Sequence, residues 1–406
     1  MKHLVIIGTV FPEPGSTAAG KRMLQLIDFF LSEHYQISFL SAAAKSEFSF
    51  DLRSKGIRSF TIQLNHSSFD HLLAELQPDV VLYDRFMVEE QFGWKVSEIC
   101  PDALKILDTE DLHFLRKARA NSFKENRKTE ERDLQNDTFK REIAAILRCD
   151  LSLIISEFEM ELLIQKYRMD PKILFYMPLF AEKKIGGKVF SERKNFVSIG
   201  NFLHEPNWQT VLILKRIWPK IRQKKTDAEL HIYGAYTSEK ALQLHNEKDG
   251  FLIKGRAESV ENVFAQARVL LAPIPFGAGI KGKLLDSMAF GLPSVTTCMG
   301  AEAMHGNLDW NGFISDDDQN FIEKAIELYT DEQLWIAKQH NGFAIIDERF
   351  RKQDFLQRFA IIIQHMMTHL QQHREQNFMG QVLQHHTLQS SKYLGKWIEA
   401  KNQQKK

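Results

Sequence analysis

The sequence predicts an α/β protein built of two Rossmann-like, doubly wound domains that face each other across a cleft. Three observations predict it. Short β-branched runs alternate with amphipathic helical patterns, the alternation halts at a basic glycine-containing stretch and then restarts, and 406 residues exceed what one hydrophobic core organises. Continuous apolar strands separated by helices mark a parallel sheet covered on both faces, because each strand must bury both of its sides.

In the first half, His3–Gly8, Ile37–Ser41, Val80–Tyr83, Leu104–Leu107 and Leu151–Ile155 read as strands, with helices such as Lys21–Ser32 between them. The opening run is ended by Gly8, Pro12 and Pro14, too early for a signal-peptide core. No later stretch reaches the roughly 18 apolar residues that a membrane span requires. Residues 181–194 (AEKKIGGKVFSERK) read as a linker. Beyond it Phe196–Gly200, Glu229–Tyr233, Phe251–Lys254, Val269–Pro273 and Ser294–Thr297 read as strands, and Gln209–Gln223, Ser259–Ala267, Lys283–Phe290 and Gln319–Tyr329 as helices. The expected domains are residues 1–180 and 181–350, followed by a helical region, 351–406. Its Gln-, His- and Lys-rich end, 374–406, reads as a mostly exposed appendage.

Lys plus Arg (53) nearly cancels Asp plus Glu (52), so no global field draws the chain to nucleic acid, and any bound anion must be held locally. Cys100, Cys149 and Cys298 are odd in number and far apart, which argues against a disulfide framework and a structural zinc site and fits a reducing cytoplasm. His365, His369 and His373 share one helix face; with no carboxylate at matching spacing they read as a polar face, and no metal site is expected.

The most informative stretch is VLLAPIPFGAGIKGKLLDSMAFGLPSVTT, Val269 to Thr297. A buried strand ends at Pro273, a loop with Gly277, Gly279 and Gly282 follows, and a helix opens near Lys283 and closes at Gly291-Leu292-Pro293. Such a turn suits phosphate: glycines admit close approach, the helix N-terminus offers unpaired N–H groups, and Lys281 and Lys283 supply charge. Asp286, one turn in, would accept ribose hydroxyls. An ordinary βα connection accounts for the same residues equally well. Carboxylates also gather after two N-terminal strands, at Asp84-Arg85 with Glu89-Glu90 and along Asp108-Thr109-Glu110-Asp111-Leu112-His113, where they either face the cleft or cap helices. Gly15-x-x-x-x-Gly20-Lys21 is a Walker A pattern that fails at Arg22, where magnesium chemistry needs Ser or Thr.

Lys283-Leu284-Leu285-Asp286-Ser287-Met288-Ala289-Phe290-Gly291-Leu292-Pro293-Ser294-Val295 resembles the K-x-L-E-A-M-A-x-G-x-P-V-V motif of retaining, family-4-type (group 1) glycosyltransferases. Gly277-Ala278-Gly279-Ile280-Lys281-Gly282-Lys283 resembles the loop G-x-G-I-K-x-K of a sub-branch that lacks the family's first glutamate, and Ala278 stands at that position here. Phe196–Phe202, Glu229–Gly234, Gly255-Arg256 and Ile154–Glu159 are similar to further family segments in the same order, so the resemblance covers all but the tail.

The resemblance implies a GT-B fold and a glycosyltransferase of glycan biosynthesis whose nucleotide-diphosphate-sugar donor sits on the C-terminal domain. Implied donor-binding positions are Gly15, Gly200, Asn201, Arg256, Gly277, Gly279, Ile280, Lys281, Lys283, Leu284 and Asp286. Asn201 and Asn207 replace the Arg and Lys that many relatives place on the diphosphate, which leaves that charge to Lys281 and Lys283, without a metal or cofactor. Asp108, Glu110 and His113 are the candidate catalytic residues on the acceptor side. A glycan or lipid-linked acceptor and at most peripheral membrane association are implied. A catalytically inactive nucleotide-sugar-binding relative and, less favoured, a P-loop-like NTPase using Gly15–Lys21 are the alternatives; a dehydrogenase is disfavoured because neither first strand leads into G-x-G-x-x-G.

Overall fold

The computed structural model describes residues 2–184 and 186–403. Ile185, within the stretch read as a linker, and residues 404–406 of the tail lie outside the described residues. The N-terminal half contains β1 (His3–Gly8), β2 (Gln36–Ser41), β3 (Arg58–Thr61), β4 (Val80–Asp84), β5 (Leu104–Asp108), β6 (Leu151–Ile154) and β7 (Leu174–Tyr176). The C-terminal half contains β8 (Lys194–Ile199), β9 (Leu230–Tyr233), β10 (Phe251–Gly255), β11 (Ala267–Ala272), β12 (Ser294–Thr296) and β13 (Gly312–Ile314).

The sheets run β3-β2-β1-β4-β5-β6-β7 and β10-β9-β8-β11-β12-β13, with every pairing parallel. Both orders reverse beside the first strand of their sheet, which opens a crevice at the carboxyl ends of the strands. All six residues of β1 are buried, and apolar clusters cover both faces of each sheet. Three strands escape the sequence reading for a physical reason. β3 is an edge strand that is half exposed, and β7 and β13 have three residues each, too few to show a period.

The first helix starts at Ala18, earlier than the sequence pattern indicates, because Thr17 caps it by accepting from the Gly20 amide at 2.9 Å. Lys21 therefore lies in its first turn. After the second domain the helix Lys352–Thr368 returns to the first: Phe359 packs 4.9 Å from Phe29 and 5.3 Å from Phe175, and Ile363 and Met366 join the same core.

The expected exposed appendage is packed on one side. The helix Phe378–Gln403 lies on the helices Phe86–Ile99 and Asp137–Arg148. Buried Lys95 holds Glu399 at 2.9 Å, and Arg374 grips Asp150 through two nitrogens. Its other side exposes Phe378, Tyr393 and Trp397. His365, His369 and His373 do not share a site: His369 caps the end of the helix Lys352–Thr368, the tilted His365 ring lies 4.6 Å from it, and His373 bonds the Asp150 carbonyl.

Candidate active site

The carboxyl ends of the two sheets enclose a cavity of about 620 Å³. Loops after β1, β4 and β5 form one wall and loops after β8, β9, β10 and β11 the other. The walls are tied together. Tyr236 donates to Glu13 at 2.9 Å, Arg119 forms two 2.7 Å bonds to Glu302 and one to the Gly277 carbonyl, and Phe123 packs on Phe276.

On the C-terminal wall β11 ends at Ala272, and after the glycine loop the helix Gly282–Ala289 begins. Gly282 abuts Ala18: a Cβ placed on it would lie 3.0 Å from that methyl. The N-termini of two helices, one from each domain, therefore converge, and their unpaired N–H groups and dipoles favour an anion between them. Gly279 has φ +63° and a Cβ there would meet Asp111 at 2.9 Å, so the loop needs glycine at this point. Its amide donates to Glu159 at 2.9 Å.

The two lysines are not equivalent. Lys281 is buried and folds back onto the Gly279 carbonyl at 2.8 Å, and desolvation lowers its pKa. Lys283 bonds Asn207 Oδ1 at 2.7 Å, and burial brings it down to about 8. Asp286 lines the cavity and pairs with Lys21, which reaches it from the opposite domain.

Gly200, Asn201, Gly277 and Ile280 also line the cavity. Gly200 leaves room for the Asn207 amide, and Asn201 Oδ1 accepts from the Leu203 amide. Arg256 stands over the Phe48 ring at 4.5 Å, beside Gly15, where a Cβ would lie 2.8 Å from its guanidinium. Ala278 packs against the N-terminal core.

Three of the donor-binding and catalytic candidates do not reach the cavity. Leu284 turns into the C-terminal core, and Leu285 lines the cavity in its place. Asp108 is fully buried under the floor, where Arg22 Nε holds both its oxygens at 2.8 and 3.1 Å; desolvation raises its pKa despite that partner. His113 opens the next helix, its Nδ1 3.0 Å from the Asp111 carbonyl oxygen and 3.3 Å from Glu142, with its ring on Phe86.

Glu110 does line the cavity. Its backbone is held at φ +63°, and its Oε1 has no hydrogen-bond partner among the described residues. Burial, reinforced by Asp108 and opposed by Arg85, brings its carboxyl up to about 8. Arg85, Arg116 and His204, to which the sequence assigns no role, and Asp111, read as facing the cleft or capping a helix, line the cavity too: Arg85, Asp111 and Arg116 beside Glu110, and His204 on the C-terminal wall. Arg85 is itself strained, at φ +74°. Asp111 bonds Arg116 at 3.0 Å; burial opposes its ionisation, but Arg116 and His113 hold its pKa below the ordinary value. Burial, with Arg116, drives His204 down to about 4, so it stays neutral. Position just past a strand end was the available signal for Arg85. Arg22, where a P-loop would place a magnesium-binding hydroxyl, is committed to Asp108.

Residues 193–331, from the start of the second sheet to beyond the Asp286 helix, match the family model described as glycosyl transferases group 1. No curated protein sequence matches the chain. Among similar solved structures, sucrose-phosphate synthase from Thermosynechococcus elongatus superposes with TM-score 0.69 at 11% identity, over 91% of this chain and 100% of that one. Staphylococcus aureus TarM, in complex with fondaparinux, α-GlcNAc-glycerol and UDP, gives 0.67 at 10% identity, over 89% and 99%. The pneumococcal O-GlcNAc transferase GtfA, in complex with UDP and GlcNAc, gives 0.66 at 11%, over 90% and 99%. At such identities the likeness is one of fold. The fold is GT-B, and together with the family match it supports a glycosyltransferase.

Proposed function

We propose that the protein transfers a glycosyl group from a nucleoside-diphosphate sugar, its nucleotide held by the C-terminal wall of the cleft, to an acceptor bound against the N-terminal wall. The observation that carries this reading is the placement of Asp286 in the cavity, one turn into a helix whose N-terminus meets that of Ala18–Ser32. A carboxylate there accepts hydroxyls of the ribose, and the converging N–H groups receive the diphosphate.

The transfer breaks the bond between the anomeric carbon and the phosphate oxygen, whose electron pair leaves with the nucleoside diphosphate. A new bond forms to the acceptor oxygen, and the acceptor's proton passes to the leaving phosphate. Fixed donors aimed at that oxygen stabilise the growing charge, which is where the loop amides and Lys283 act. By resemblance the configuration is retained and no metal is required. Glu110, protonated near neutral pH, is the side chain best suited to hold a sugar hydroxyl on the acceptor wall. The complexes of TarM and GtfA with UDP favour a nucleotide-sugar donor, and a glycan or lipid-linked acceptor fits the same reading. A cytoplasmic location is part of the same proposal; among the described residues no helix is long and apolar enough to cross a membrane, and the three cysteines are free thiols.

Calorimetry with UDP, GDP, ADP and dTDP, without added metal, tests the proposal. One diphosphate is expected to bind, and Asp286→Ala to weaken it on the order of tenfold to a hundredfold, since a hydrogen bond to a charged group contributes roughly 1.5–3 kcal/mol. Unchanged affinity in a folded Asp286→Ala protein refutes the assignment. Ala278, Asn201 and Asn207 favour a second reading, an inactive sugar-nucleotide binder, which donor binding with no turnover across a broad acceptor panel would establish.

A further inference from the structure

Lys21 spans the cavity. It leaves the first turn of the helix Ala18–Ser32 in the N-terminal domain, lines the cleft, and places its ammonium on Oδ1 of Asp286 in the C-terminal domain. A ribose that used Asp286 would enter between these two walls, so the pair must part before a nucleotide can seat. The contact is partly open to solvent, with 42% of the Lys21 side chain and 21% of the Asp286 side chain exposed. Pairs of this kind are weak and exchange readily.

The freed ammonium has one obvious new partner. The Gly15–Thr17 turn and the first helical residues Ala18 and Ala19, which precede Lys21, line the same cavity, and the two helix N-termini that meet at Ala18 and Gly282 mark where a phosphate adjoining the ribose would lie. The motif lysines are poorly disposed to neutralise it alone, since Lys281 is turned onto the Gly279 carbonyl and Lys283 onto Asn207. A mobile cation on the facing wall supplies what they lack, and a charge-assisted bond to phosphate is stronger than the exposed pair it replaces.

We propose that Lys21 is an exchangeable cation of the donor site: it holds Asp286 in the empty cleft and, on donor binding, yields that carboxylate to the ribose and closes on the diphosphate. This rests on the donor-site reading above and adds a specificity device to it. A nucleoside must break the Lys21–Asp286 pair with no return, whereas a nucleoside diphosphate breaks it and recaptures the lysine. The site thereby discriminates for the diphosphate, and Lys21 reports its arrival to the other domain.

The test compares UDP with uridine, GDP with guanosine and ADP with adenosine, by competition calorimetry, on wild type, Lys21→Met, Lys21→Arg and Asp286→Ala. Lys21→Met is expected to weaken the recognised diphosphate about tenfold or more, while its nucleoside binds equally well or up to about fivefold tighter. Lys21→Arg, still charged and of similar reach, should restore most of the preference. A change in the ratio of the two affinities is a readout that a merely structural lysine would not give, and the binding stoichiometry reports the folded fraction of each variant. If both ligands weaken together in Lys21→Met, or neither changes, the exchange is overturned while the donor site stands through the Asp286→Ala result. If no diphosphate binds wild type, the donor site and the exchange fall together.

Discussion

The carboxylate of Glu159, rooted in the N-terminal domain, accepts the backbone amide of Gly279, in the loop that leads to the Asp286 helix of the C-terminal domain, at 2.9 Å. The same oxygen accepts the Leu112 amide at 3.0 Å, so one fully buried side chain fixes both walls of the cleft. Burial first, and then the charge of Asp111, brings its carboxyl up to about 8, against the two amides that favour the ionised form.

A pH dependence of stability follows. The folded state keeps a proton on Glu159 that the unfolded chain releases above its ordinary value of 4.5, so this stabilisation is complete below pH 4.5 and is lost as pH rises through about 8. Each such carboxyl gives a slope of up to about 1.4 kcal/mol per pH unit inside that window. Glu159→Gln should lose this share of the slope between pH 5 and 8, leaving the share of Glu110, which titrates over the same range, and the opposite slope of His204 below about 6.5. Chemical denaturation at several pH values measures this; an identical slope in the variant would sink the assignment.

Donor affinity should depend on pH through Lys283. Its pKa near 8 leaves the ammonium charged below that value and neutral above it, and a bound diphosphate favours the charged form. Affinity should therefore fall as pH rises above about 8, with proton uptake on binding at pH 9 visible as a calorimetric heat that varies with the buffer. Lys283→Arg, which stays charged, should abolish the uptake. Uptake that persists in the variant points to another group.

Asp108 and Glu110, two residues apart, should behave oppositely. Asp108→Ala leaves Arg22 buried without its partner, which costs about 3–5 kcal/mol in comparable breaks, and should lower the melting temperature sharply. Glu110→Gln, at a position that faces the cavity with an Oε1 unpartnered among the described residues, should melt near wild type and lose turnover instead. Thermal melts beside turnover assays decide; a stable Asp108→Ala protein would show that the ion pair matters little.

Gly279→Ala should damage both folding and donor binding. The substitution forces a side chain to φ +63° and sets its Cβ 2.9 Å from that of Asp111, so it destabilises by at least about 1–2 kcal/mol and pushes the domains apart. A diphosphate titration alongside urea denaturation checks this, and wild-type values for both would mean that the loop and the facing wall yield without cost.

Much of the fold was legible because β1, β4 and β11 are buried on both faces and must read as unbroken apolar runs. The Asp286 helix was legible too, since glycines before it and Gly291-Leu292-Pro293 after it punctuate the chain whatever it packs against. The polar residues were legible only as types. Asp108, Glu110 and His113 look alike in sequence, and their fates diverge because Arg22, from another element, claims the first and Asp111 with Glu142 holds the last. The sequence by itself determined two parallel αβ domains and the chemistry of the phosphate-suited turn, both of which depend on neighbours close in the chain. Tertiary structure alone decided the pairing of Lys21 with Asp286, 265 residues apart, because that contact exists only where the carboxyl ends of two separate sheets are brought face to face.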